Sequence, residues 1–239
     1  MPHRAADSSP GLAIDAQGVA RRFGSQWVLR GVTLQVSRGE VVGLLGANGS
    51  GKSTLLRILA TLLRPNAGQA TVCGYDAVRE ADDVRGSVGF LAHSPGLYDD
   101  LSARENLLFA LAMLRPAVVG AAAVDSVLAR VGLAALGDAR VRGFSAGMQR
   151  RLALARLLLA QRAVLLLDEP YSNLDGDGIS LMNGTIAETV RGGGAALIVL
   201  HERAPAASIL HRTVTIRDGR ISAARAPSAR TQLSLGLPQ

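Results

Sequence analysis

"EVVGLLGANGSGKST", residues 40–54, decides the reading of this 239-residue chain. An unbroken apolar run leads into a turn carrying Gly46, Gly49 and Gly51, and "LLRILATLL" follows at helical period. A strand that passes through a glycine-rich turn into a helix fits the phosphate-binding loop pattern, with Gly46, Gly51, Lys52 and Ser53 at the required spacing. The glycines let successive N–H groups turn inward as an anion-binding nest, and the helix starting near Lys52 adds its positive end. Lys52 is expected between the β- and γ-phosphate oxygens of a nucleotide, with the Ser53 hydroxyl on a magnesium ion.

The bulk numbers narrow the class. The chain is 48% hydrophobic and 19% charged, yet it has no uninterrupted apolar run approaching the ~20 residues of a membrane span. "NLLFALAMLRPAVVGAAAV" comes nearest, but Arg115 and Pro116 interrupt it, so a buried helix followed by a turn is expected. "MPHRAADSSPG" lacks the apolar stretch of a secretory signal, and the single cysteine, Cys73, excludes an internal disulfide. The net charge of +7 rests on scattered arginines. Three Tyr, four Phe and one Trp are too few for a base-stacking surface, so no nucleic acid is expected as partner. A nucleotide site near an anionic membrane leaflet accounts for the excess charge.

Residues 1–11 and 223–239 read as flexible ends rich in Ala, Ser, Pro and Arg. Between them "EVVGLLG", "SVGFLAH", "AVLLLDEP" and "AALIVLHE" lack polar alternation, which suits parallel strands covered on both faces. "VTIRDGRIS" reads as a hairpin turning at Asp218–Gly219. From about Leu101 to Ala160 the period is helical, opened by a capping box of Ser102 and Glu105. A helical piece is therefore inserted into an α/β core.

A phosphate loop alone suits a kinase, a GTPase or many ATPases. "AVLLLDEP" adds two adjacent carboxylates at the end of a buried strand, whose side chains alternate between faces. Asp168 is expected to reach the magnesium shell through water, and Glu169 to polarise an attacking water as general base.

"FSAGMQRRLALARLLL" then supplies Ser145, Ala146, Gly147 and Met148 before a basic amphipathic helix. This stretch resembles the signature motif, usually written LSGGQ, of ATP-binding cassette (ABC) ATPases. The resemblance covers about residues 12–222. It implies an α/β P-loop NTPase domain with a mainly parallel sheet, an antiparallel N-terminal β part and a helical subdomain inserted at about 97–160. It also implies that Ser145–Met148 face the nucleotide of a second cassette, identical or paralogous, so that two chains sandwich two ATP molecules. The ATP cradle is then Gly46, Ala47, Asn48, Gly49, Ser50, Gly51, Lys52, Ser53 and Thr54. Phe23 in "RRFG" matches the aromatic that stacks on adenine, a contact worth about 1–3 kcal/mol by analogy with base stacking. Asp175 in "SNLD" matches the loop between the two sites, and His201 in "VLHE" the histidine that contacts the γ-phosphate.

Three positions depart from the family pattern. Its magnesium-binding glutamine, which also senses the transmembrane partner, is replaced by His93 or Ser94 in "HSPGLY". Met148 stands where the signature has glutamine, and Ala146 where it has glycine. Within the family, "LAHSPGLYDDLSARENLLF" and the "SAG" signature resemble the ATPase subunit of the haem exporter of cytochrome c maturation. Separate membrane subunits and a peripheral position on the cytoplasmic face of the inner membrane follow from that resemblance. Another efflux cassette, for drug, lipid or polysaccharide, is the alternative. A non-transport ABC protein fits less well, because residues 52 and 145 are too close for a long coiled coil and no cysteine cluster intervenes.

Overall fold

Continuous apolar runs and alternating ones sort into different sheets. The computed structural model describes residues 11–113 and 121–225; the two expected flexible ends lie almost wholly outside them. β1 (Leu12–Phe23), β2 (Gln26–Ser37), β4 (Ala67–Val72) and β5 (Tyr75–Asp76) form an antiparallel sheet in the order β2-β1-β4-β5. In β2, Val32, Leu34 and Val36 are buried while Thr33, Gln35 and Ser37 face water, as a one-sided sheet demands.

The second sheet has the order β10-β9-β3-β8-β7-β6. Here β3 (Val41–Leu45), β6 (Val88–Leu91), β7 (Val164–Asp168) and β8 (Ala195–Val199) are the four apolar runs, all parallel. β7 and β8 are buried along their whole length. β9 (Arg212–Arg217) runs parallel to β3, and β10 (Arg220–Arg225) closes the edge as the antiparallel arm of the expected hairpin. Asp218 and Gly219 take φ of 51° and 72°, the left-handed pair of a two-residue turn. The turn is also anchored: Arg30 N donates to Gly219 O at 2.8 Å.

Successive residues of one strand serve two cores. Leu166, Leu197 and Val199 pack with α1 (Lys52–Leu59) and the antiparallel sheet, through Leu55, Leu56 and Ile58. Leu165, Leu167 and Ile198 face the opposite way, towards α3 (Ala103–Met113), α4 (Ala121–Arg130), α5 (Ala146–Ala160) and α6 (Gly176–Arg191), through Leu107, Leu128, Leu152 and Ile186. α2 (Ala81–Ser87) precedes β6. Ser102 and Glu105 form the capping box of α3: Ser102 N donates to Glu105 Oε2 at 2.7 Å and Glu105 N to Ser102 Oγ at 3.1 Å.

One expectation needs correcting. α3 is not a buried helix, because only Ala103, Asn106 and Leu107 are enclosed, while Leu108, Phe109 and Met113 are exposed. The apolar period marked a two-sided surface, and among the described residues one of its sides finds no cover. Arg115 and Pro116 lie outside the described residues.

Glu40 fastens the entry of β3 to that of β9. Arg212 donates to its carboxylate through Nε at 2.6 Å and Nη2 at 3.2 Å, and Ser37 N adds a bond of 2.9 Å. Burial pushes the Glu40 carboxyl up, but the Arg212 and Ser37 hydrogen bonds outweigh it and hold the group below its ordinary 4.5. A depressed folded-state pKa contributes stability that is complete above the unfolded value and is lost as pH falls through the folded one. Glu40→Gln should therefore lower Tm at neutral pH by a few degrees, for a loss of about 1–2 kcal/mol. The gap between variant and wild type should close below about pH 4 in thermal melts.

Candidate active site

Register brings the chemistry to one edge. Leu44 pairs with Val199, and Val199 with Asp168, so β3, β8 and β7 end at one level. The glycine-rich turn leaves β3, His201 follows β8, and Glu169 follows β7. β6 joins through Leu91 against Leu167, and His93 comes two residues later. Ligand sites at the carboxyl ends of parallel strands are a general outcome of this architecture.

In the turn, Gly46, Gly49 and Gly51 have φ of 152°, 76° and 107°. Gly46 is also sterically required, since a Cβ there would run into the Ile216 carbonyl oxygen. α1 begins at Lys52, as the motif implies. Lys52 is 5% exposed, and its Nζ donates to Gly46 O at 2.7 Å and Ala47 O at 3.0 Å. The ammonium charge is thus held at the loop, where an anion would meet both it and the helix N-terminus. Ala47, Asn48 and Gly49 are exposed, whereas Ser53 and Thr54 are partly buried on the first turn of α1.

The two carboxylates separate for a different reason from strand alternation. β7 ends at Asp168, and Glu169 turns out of it with φ of 52°, a left-handed conformation that costs a non-glycine residue about 1–3 kcal/mol. Asp168 is 1% exposed, and its Oδ1 has no hydrogen-bond partner. Glu169 is held at both oxygens: His201 Nε2 lies 2.6 Å from Oε1 and His93 Nδ1 3.2 Å from Oε2. Of the two residues at the position of the family's glutamine, His93 is the one whose side chain meets this carboxylate.

The orphaned Asp168 Oδ1 tests the expected metal. A buried carboxylate oxygen without a donor wants a cation or an ordered water, and hard oxygen donors such as Asp168 and the Ser53 hydroxyl suit magnesium. The residues fit that ion. Among the described residues no group of three or more His, Cys, Asp or Glu could hold a metal ion.

Ser145 caps α5, its Oγ accepting from Met148 N at 3.2 Å, and both Ser145 and Ala146 are exposed. Met148 turns inward against the helical core. Gly147 lies against the loop between the Asp–Glu pair and α6, where an added Cβ would stand 2.9 Å from Asn173 O. Asp175 caps α6 by accepting from Gly178 N at 2.9 Å, and Arg151 Nη2 donates to the same oxygen at 2.6 Å. The Gly178 bond and then Arg151 hold the Asp175 carboxyl below its usual range. Among the described residues, no hydrogen bond joins the Ser145–Met148 turn to the Gly46–Thr54 loop.

Phe23 is 46% exposed at the tip of the β1–β2 hairpin, so it is no core residue. The Arg21 guanidinium lies 4.8 Å from its ring centroid. Tyr98 and Phe109 meet edge to face, with centroids 4.9 Å apart, in a groove shared with Phe90, Met113, Leu157 and Arg156.

Two arginines of α5 escaped the reading of that helix as a basic amphipathic one. Arg150 donates through Nη1 to Ala92 O at 2.9 Å, through Nη2 to Glu169 O at 2.8 Å and through Nε to Ser172 O at 3.4 Å. Arg156 donates to Gly96 O at 2.9 Å and Pro95 O at 2.8 Å. Together they hold the segment that carries His93. Nothing in their spacing marks them, because six residues turn a helix through about 240° beyond a full turn and set the two side chains on different faces.

Gly147→Ala must displace the backbone at Asn173, and overpacking of this kind costs about 1–3 kcal/mol. Its Tm should fall by ~2–4 °C for each kcal/mol. Gly184→Ala, in α6 with nothing near its Cβ position, should leave Tm unchanged or raise it slightly. Thermal melts of the two variants check this.

Comparison with known proteins agrees with the geometry. The ABC transporter family profile matches residues 29–172. The daunorubicin resistance ATP-binding protein DrrA3 of Streptomyces coeruleorubidus is 40% identical over 88% of this chain and 67% of its own. The cytochrome c biogenesis ATP-binding export protein CcmA of Xanthomonas axonopodis pv. citri is 46% identical over 76% of this chain and 83% of its own. A solved ATP-binding subunit of an ABC transporter superposes with a TM-score of 0.81 at 25% identity, covering 90% of each chain. With phosphate loop, acidic strand end and signature turn in one frame, this chain belongs to the ABC transporter family as one of its ATPase domains.

Proposed function

We propose that this chain hydrolyses ATP to drive an exporter whose membrane-spanning part is made by separate subunits, and that the exporter is the haem-linked one of cytochrome c biogenesis. The observation that carries the reading is Glu169, fixed between His201 and His93 beside the phosphate loop. The N–H groups of Gly46–Thr54 and the Lys52 ammonium bind the phosphates, and Phe23 stacks on adenine. Ser53 and, through water, Asp168 would hold a magnesium ion, which when bound would supply positive charge against the phosphate oxygens. Glu169 accepts a proton from the attacking water as its oxygen bonds to the γ-phosphorus. The bond to the β-phosphate oxygen breaks and ADP leaves with the electron pair. His201 keeps the Glu169 carboxylate aimed, and His93 stands in for the glutamine.

The exposed Ser145 turn has the form of an anion site, with a hydroxyl cap and a helix N-terminus, and in this reading it serves the nucleotide of a second cassette. Asp175 links the two sites. Two shared nucleotides favour a closed pair, and hydrolysis reopens it; useful switching needs several kcal/mol of preference between the states. The groove at Tyr98 and Phe109, flanked by Leu97 and left open by the described residues, takes a helix of the membrane subunit. The ATPase unit spans residues 12–222 with its helical part at about 97–160, and it works peripherally on the cytoplasmic face of the inner membrane. Among the described residues no helix is long and apolar enough to cross a membrane.

The haem-linked reading is supported by the 46% identity to an export protein of cytochrome c biogenesis. Drug efflux is the second reading, favoured by the 40% identity to DrrA3 over more of this chain. Glu169→Gln should cut turnover at least 100-fold and trap an ATP-bound dimer in size-exclusion chromatography; an unchanged monomer that still hydrolyses ATP overturns the mechanism. Reconstituted with its membrane subunits, the wild type should turn over ATP faster with haem or its carrier than with daunorubicin. The reverse order establishes the second reading.

A further inference from the structure

A buried guanidinium beside the carboxylates has no place in the mechanism above. Arg150 is 2% exposed, and a charge so enclosed is tolerated only when its donors are satisfied. All three of its hydrogen bonds go to backbone carbonyls, and these belong to the segments around the reaction centre: Ala92 before His93, Glu169 itself, and Ser172 in the loop leading to Asp175. Burial pushes the Arg150 pKa down, while the Asp168 and Glu169 carboxylates oppose it.

We infer that Arg150 is a positioning residue for hydrolysis, fixing the Glu169 peptide and the backbone before His93 so that the Glu169 carboxylate stays aimed. The inference rests on the reading of Glu169 as general base. Glu169 sits in a left-handed conformation that nothing in its own chemistry favours. Its N–H donates to Val199 O at 3.2 Å, and its carbonyl accepts from Arg150 and, at 3.3 Å, from Ser172 N. Removing the guanidinium releases the stronger of the two restraints on that carbonyl. It also frees Ala92 O, and with it the approach of His93 to Glu169 Oε2. A lysine cannot replace the fork, because a compact ammonium does not span three carbonyls in one plane.

The test uses the full-length protein with Arg150→Lys and, should that variant fold poorly, Arg150→Gln. Displacement of a catalytic group by about 1 Å costs on the order of 100-fold in rate. Turnover should fall about 10- to 100-fold, while KM for ATP and the affinity for a fluorescent ATP analogue stay within about two-fold. Single-turnover hydrolysis of γ-labelled ATP then compares Glu169→Gln with the double variant. If Arg150 acts through Glu169, the double variant hydrolyses within about two-fold of Glu169→Gln alone. A folded Arg150 variant with wild-type turnover, an equal loss in nucleotide affinity, or a further tenfold loss in the double variant overturns the inference. Wild-type turnover in Glu169→Gln itself overturns the general-base reading instead, so the two failures are distinguishable.

Discussion

Everything at the active edge depends on three parallel strands ending together. Hydrogen bonding between β3, β8 and β7 sets Leu44, Val199 and Asp168 at one level, and each strand then releases a chemically different segment. A one-residue slip would move the phosphate loop relative to Asp168 and reverse the facing of every side chain on the slipped strand. The register is held by burial on both faces, because Leu165 and Leu167 belong to one core and Leu166 to the other. Such a strand has no face on which a slip would be cheap. The hydrophobic packing that stabilises the sheet thereby also aligns the candidate catalytic groups.

α5 is the second organising element, and it works through polar contacts. Its N-terminus presents Ser145 to the surroundings, its interior sends Arg150 to Ala92, Glu169 and Ser172, and Arg156 reaches Pro95 and Gly96. Arg151 ties the same helix to Asp175 at the cap of α6. The signature turn, the His93 segment and the loop after Glu169 are thus parts of one hydrogen-bonded unit. Gly147 lets that unit close against Asn173, where a side chain would not fit. The groove beside Tyr98 and Phe109 is lined by α5 itself, through Arg156 and Leu157, together with α3 and β6, next to the segment that Arg156 holds.

The four parallel strands, the hairpin at Asp218–Gly219, the Ser102–Glu105 capping box and the start of α1 at Lys52 were legible from the residues, whereas the antiparallel sheet of β1, β2, β4 and β5 came only with the family resemblance. Each legible feature is specified by residues close in sequence, through an apolar run, a left-handed turn or a side chain three residues away. The exposure of Leu108, Phe109 and Met113 was not legible, since an apolar period reports a surface that wants cover and not what covers it. Nor was the geometry of the Asp–Glu pair. Alternation along a strand implies opposite faces, but the strand stops at Asp168, and a left-handed residue then aims Glu169 between two histidines.

By itself the sequence determined the chemical inventory and the class of fold: a phosphate loop, a carboxylate pair, a signature turn and strands too apolar to meet water. Tertiary structure alone decided that His93, and not Ser94, meets Glu169, and that Arg150 is an interior strut and not a solvated basic residue. The physical reason is common to both. Arg150 is held by main-chain carbonyls, which every residue possesses, so its partners 19, 22 and 58 positions away leave no mark in side-chain identity. Which of the adjacent His93 and Ser94 faces Glu169 depends on how the chain turns after β6, and that segment is held by Arg150 and Arg156, far along the sequence.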